Sequence, residues 1–122
     1  MIVAVNVAGT LVGEGLGRAK TMALATVEDG AITAWEETDV RWDLSHDAVV
    51  SGNPAPSELA ASQGSHHAKI VRFMRDNHVN VVITGHVGPP MLHTLELMGI
   101  PVITGTPGDA RAAVLAAVAR RG

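Results

Sequence analysis

The sequence predicts an α/β fold, a mixed five-stranded sheet with helices on its faces in the order β-β-β-α-β-α-β-α. Three observations predict it. Asp29-Gly30, a two-residue turn signal, separates two apolar segments of strand length near the N-terminus. Val79 to Thr84 is a short run, apolar but for Asn80 and Thr84 and without alternation, as expected of a parallel strand covered on both faces. In the C-terminal half such runs alternate with segments of helical period, which is the mark of crossover units, right-handed by chain chirality.

Ile2 to Val7 is the first strand, and the glycines at 9, 13, 15 and 17 mark a loop after it. Met22 to Glu28 and Ala31 to Thr38 form the hairpin around Asp29-Gly30. From Asp39 to Gly64 the periodicity fades, with Asn53-Pro54 and Pro56 as breakers. A connection of that length is either functional or a crossover wrapping the sheet edge, and the residues alone leave both open. Ser65 can cap a helix with Ile70, Val71, Phe73 and Met74 on its apolar side and His66 and His67 in its first turn. After the strand Val79 to Thr84, Pro89 or Pro90 suits the first turn of a short helix. Leu92, Leu95 and Met98 supply its stripe and Gly99 its stop. Ile100 to Thr104 is the last strand. Thr106 is expected to cap the final helix, with Asp109 at its third position and Ala110, Ala113, Val114, Ala117 and Val118 on one face.

At 122 residues the chain is one domain, able to bury roughly two thirds of the surface exposed on unfolding. Aromatics make up only 2%, so the core rests on Val, Ile, Leu, Ala and Met. A formal charge of -3 with its residues scattered offers no footprint for nucleic acid or an anionic membrane. With no cysteine, disulfides, thiolate metal sites and cysteine nucleophiles are excluded. The N-terminus lacks a basic segment and nothing approaches a membrane span, so a cytoplasmic location is expected. Oligomeric state is left open.

In such sheets ligands collect outside the carboxyl ends of the parallel strands. Three segments should converge there: the loop from Ala8 to Arg18, the turn from Gly85 to Pro90 and the turn from Gly105 to Pro107. His86 stands at the centre of the stretch Gly85-His86-Val87-Gly88-Pro89-Pro90. Gly85 and Gly88 would permit close backbone approach while the prolines stiffen the start of the helix, holding the imidazole on a fixed rim and directing it inward. The competing reading is a solvent-exposed loop histidine. A phosphate cradle is disfavoured, since two prolines remove two N–H donors from that helix start. His93 reads as a surface or packing residue, and His46 and His78 as loop and helix-end residues. Met22, Met74, Met91 and Met98 fit core spacing, Met91 being the one beside the crevice.

Gly15-Leu16-Gly17-Arg18-Ala19, Asn53-Pro54, the run from His66 to Met74 and the run from Asn80 to Gly105 together resemble the dinitrogenase iron-molybdenum cofactor biosynthesis family, the NifX, NifB C-terminal and NafY-like group. The pattern is carried most strongly by Gly85, Gly88, Pro89, Gly99, Ile100 and Val102, and it covers nearly the whole chain. The resemblance implies a ribonuclease-H-like domain over residues 1–122 that binds or carries an iron-sulfur or iron-molybdenum type cluster or its precursor, with cofactor-assembly or acceptor proteins as partners. In that family the early loop reads His-Phe-Gly-Arg-Ala and its histidine is a candidate cofactor ligand. Here the position is Gly15, and Leu16 replaces the aromatic. The expected binding set is therefore His86, Gly85, Gly88, His66, His67, Gly15, Gly17 and Arg18, with His86, His66 and His67 as the metal ligands.

The expected function is a non-catalytic carrier. The alternative is a metal-free small-molecule or regulatory module using the same crevice. A nuclease is disfavoured because two-metal cleavage needs converging carboxylates; the first strand offers Asn6, the fourth none, and only Glu14 is near. No nucleophile with an adjacent base is visible, so an enzyme is not expected.

Overall fold

The computed structural model describes residues 1–42, 68–105 and 108–121. The strands are β1 (Ile2–Ala8), β2 (Leu11–Val12), β3 (Thr21–Glu28), β4 (Ala31–Asp39), β5 (Val81–Ile83) and β6 (Val102–Ile103), with a 3-10 turn at Leu16–Arg18. The helices described are α1 over 68–76, α2 (Pro89–Leu97) and α3 (Ala110–Arg121). None of the described helices is long and apolar enough to cross a membrane.

The sheet runs β4-β3-β1-β5-β6, antiparallel from β4 to β1 and parallel from β1 to β6. It has one strand more than the sequence predicts. β2 lies within the glycine loop and pairs antiparallel with the end of β1, through Val7 with Val12 and Ala8 with Leu11. Two residues of alternation are too few to register as a strand beside four glycines.

Alternation along β1 sorts the core into two layers. Val3, Val5 and Val7 pack with Val81 and Ile83 under Ala110, Ala113, Val114 and Ala117 of α3. Ala4 and Val82 face the other way, under Ile70 and Met74 of α1 and Met91 and Leu95 of α2. β1 is thus covered on both sides, and five of its seven residues are buried. Asp29 and Gly30 take φ of 53° and 77°, the paired positive values of a type I′ turn.

Other details depart from the sequence reading. The face α2 buries is Met91 and Leu95, with Leu92 half-buried; Met98 is 37% exposed because the helix has ended there. At the start of α3 Asp109 acts as an N-cap: its Oδ2 accepts the Ala112 N–H at 2.9 Å. Ser65, Thr106, His46 and most of the Asp39–Gly64 connection lie outside the described residues. Two of the three aromatics pair with each other and the third takes a cation. Trp42 meets Phe73 edge-on at 5.5 Å, and the Arg111 guanidinium sits 4.4 Å over the Trp35 ring, tying α3 to β4.

Candidate functional site

The three segments expected to converge do so, through backbone hydrogen bonds. Beyond the end of β5 the early loop runs alongside the chain in parallel. Gly85 donates its N–H to the Gly13 carbonyl at 2.9 Å, His86 donates to the Glu14 carbonyl, and Leu16 donates to the His86 carbonyl at 3.0 Å. Gly15 and His86 are therefore paired as parallel bridge partners. Of the third segment, Gly105 donates to the Gly85 carbonyl at 3.3 Å while 106 and 107 lie outside the described residues, and just beyond it the Gly108 carbonyl accepts from Val12 at 2.9 Å.

The glycines of this junction have different reasons to be there. A Cβ on Gly85 would lie 2.9 Å from the carbonyl oxygens of both Gly13 and Glu14, and one on Gly13 would lie 2.5 Å from Asn6 Oδ1. Both are close approaches that only glycine allows. Gly88 has no such constraint. It stands before α2 with φ -67° and ψ 148°, and its Cβ would meet only the Pro90 ring at 3.9 Å. The sequence reading of Gly88 as a close-approach glycine is corrected on that ground. Pro89 and Pro90 occupy the first two helical positions, as expected.

Beneath the rim lie the buried polar residues Asn6, 3% exposed, and Thr84, fully buried. Asn6 Nδ2 donates to Thr84 Oγ1 at 3.2 Å, and the Thr84 hydroxyl lies 3.3 Å from the carbonyl oxygens of Glu14 and His86. Its single proton serves one of them at a time. This pair joins β1 and β5 to the two strands of the rim. It was missed from sequence, although a lone Asn in the apolar run Ile2 to Val7 and a Thr ending Val81-Val82-Ile83 are the signals that could have found it.

His86 itself is exposed, and it lines neither cavity that flanks the junction. The expectation of an inward imidazole is corrected: Gly85 turns the chain against residues 13 and 14, Val87 takes the core position, and His86 is left on the outer rim. Because Gly15 is its lateral partner, a side chain at 15 would emerge on the same side of the paired strands, about 5 Å away. A Cβ there meets nothing within 4 Å. Gly17 and Arg18 belong to the 3-10 turn, and Arg18 is exposed. His66 and His67 lie outside the described residues. His93 is exposed on α2 and His78 ends α1, both as expected. Met22, Met74 and Met91 are core residues.

One cavity, of about 440 Å³, lies between β2 and the turns at 85, 105 and 108. The other, of about 410 Å³, lies between the end of β1 and the 3-10 turn and includes Asn6, Gly13, Gly15, Arg18 and Lys20 in its lining. Among the described residues no group of three or more His, Cys, Asp or Glu side chains is placed to hold a metal ion. Among the described residues the rim carries one imidazole, that of His86, and Glu14 is a carboxylate residue that lines both cavities.

A family model described as dinitrogenase iron-molybdenum cofactor matches residues 1–120. The search of curated proteins gave no match. Solved structures of similar fold include PH0822, with 18% identity, coverage of 98% of this chain and 92% of that one, and a TM-score of 0.70. The apo form of the orange protein from Desulfovibrio gigas is similar over 98% and 88%, with 22% identity and a TM-score of 0.65. A candidate NifB protein from Thermotoga is similar over 98% and 89%, with 19% identity and a TM-score of 0.64. At these identities the structures show a shared fold.

Proposed function

The chain belongs to the dinitrogenase iron-molybdenum cofactor family, and from that premise we propose that it carries an iron-sulfur or iron-molybdenum type cluster, or a precursor of one, as transient cargo without transforming it. The observation that supports this reading most is the register of the rim. His86 stands exposed on a backbone fixed by three hydrogen-bonded segments, beside an open position at Gly15. An imidazole nitrogen is a sound terminal ligand for iron and other borderline metals. Lacking cysteine, the chain cannot furnish thiolates, so terminal ligation of the cargo by this chain falls to imidazole. A few imidazole ligands and an exposed rim suit hand-over between assembly and acceptor proteins better than permanent storage. His66 and His67 complete the proposed ligand set by family resemblance.

A second reading, a metal-free small-molecule module at the same junction, is favoured by the single imidazole and by the glycine at 15. Anaerobic titration with a synthetic cluster, followed by absorbance, separates the two. The carrier reading expects saturable binding that His86→Ala weakens by about tenfold or more, as loss of a ligand should. The triple variant with His66→Ala and His67→Ala should weaken it further. A parent protein that ignores added clusters overturns the carrier reading and leaves the module.

A further inference from the structure

The cavity of about 410 Å³ beside the 3-10 turn has a polar inner end that no group among the described residues accounts for. Asn6 is 3% exposed and lines it. Its carboxamide makes one hydrogen bond among the described residues, from Nδ2 to Thr84. That leaves one N–H and the Oδ1 acceptor without a partner there, in a place where each unsatisfied group costs about 1–3 kcal/mol. Oδ1 rests against Gly13, itself part of the lining, so the spare amide edge belongs to the cavity and not to the apolar core. Lys20 and Arg18 stand at the same cavity with Thr21 and with one acidic residue, Glu14, so cations outnumber anions in its lining, and Lys20 makes no ion pair among the described residues.

We infer that this cavity is a subsite for a small oxyanion that also carries a hydroxyl donor. The cationic side chains supply the attraction for the oxyanion, and their charge-assisted hydrogen bonds are the stronger kind. The Asn6 amide reads the rest of the molecule. Its Oδ1 accepts from a ligand hydroxyl, and its spare N–H donates to an oxygen. An anion lacking the hydroxyl leaves Oδ1 buried and unpaired, so the site discriminates by a donor and not by charge alone. Carboxylate and phosphate share this chemistry, and a volume of this size takes a dicarboxylate with room to spare. The subsite shares Gly15 and Arg18 with the expected cluster-binding set, but it does not need a cluster at His86 to be occupied.

Two-dimensional amide NMR titration of the whole chain tests it, with malate, succinate and inorganic phosphate as probes. Malate and succinate differ by one hydroxyl. Malate should shift the amides of Gly13, Gly15, Lys20 and Thr21 saturably and bind about tenfold more tightly than succinate. Lys20→Gln, a change at an exposed side chain, should weaken malate and phosphate alike by about fivefold. Asn6→Leu keeps the volume and removes the spare amide, so it should erase the preference for malate. If that variant does not fold, the malate-succinate ratio and Lys20→Gln decide the matter. Equal malate and succinate affinities overturn the inference, as do shifts indifferent to Lys20→Gln, or no saturable shift with any probe, the result expected if water alone fills the cavity. Cluster binding that survives Lys20→Gln but fails in His86→Ala keeps the two sites distinct.

Discussion

Glycines 13 and 85 are required for space, with no left-handed conformation at either. Their missing Cβ atoms let the early loop and the end of β5 approach to hydrogen-bonding distance over the Asn6–Thr84 pair. Gly85→Ala should lower stability by about 1–3 kcal/mol, the range for overpacking a site that cannot relax. Gly88→Ala should change it by no more than about 0.5 kcal/mol. Urea denaturation of the two variants checks this, and equal losses would contradict the separate roles given to them. Thr84→Val should cost about 1–3 kcal/mol, since it leaves Asn6 Nδ2 and a rim carbonyl short of a partner. Of these residues, Gly85 was legible as a close-approach glycine because it follows a buried strand. Asn6 was not, because one polar residue in a strand has no readable partner until the sheet brings position 84 beside position 6.

Two helices end in the same way with different residues. After α2, Gly99 takes φ 78°, its N–H bonds to the Glu96 carbonyl, and the Ile100 N–H returns to the Leu95 carbonyl at 2.9 Å. After α1, His78 takes φ 53°, its N–H bonds to the Arg75 carbonyl, and the Val79 N–H returns to the Met74 carbonyl at 3.0 Å. Both are Schellman closures, and in each the returning residue is buried against its core partner. His78 therefore bears a left-handed cost that Gly99 avoids. His78→Gly should raise stability by about 0.5–1 kcal/mol, while Gly99→Ala should lower it by about 1 kcal/mol. Thermal melts of the pair test this, and a loss of stability in His78→Gly would show that its side chain does something the backbone does not. Asp109→Ala should cost about 1 kcal/mol, the usual worth of an N-cap. The hairpin at Asp29-Gly30 and the stop at Gly99 were legible because local chemistry dictates them. The stripe through Met98 was misread because spacing alone cannot say that the helix closes at Leu97.

Across the whole molecule, the convergence of three distant turns followed from the rule that loops gather at the carboxyl ends of parallel strands. The pairing that fixes it did not follow. Nothing local in residues 13–16 announces a strand, and the direction of His86 depends on which side of that pairing the chain presents. The outcome is a rim with its imidazole outside, an open neighbour at Gly15 and a polar cavity behind it. Since Gly15 already has an extended conformation, φ -105° and ψ 124°, Gly15→His should fold normally and place a second imidazole beside the first. It should tighten cluster binding by about tenfold or more, measured by the same anaerobic titration.

The proposed carrier role stands or falls on direct ligation of metal by the His86 imidazole. Pulsed electron paramagnetic resonance on a paramagnetic cluster bound to protein labelled with ¹⁵N-histidine reads that bond. Direct ligation should give a coordinated nitrogen coupling in the parent that His86→Ala removes. A bound cluster with no histidine nitrogen coupling, or a coupling unchanged in His86→Ala, would contradict it.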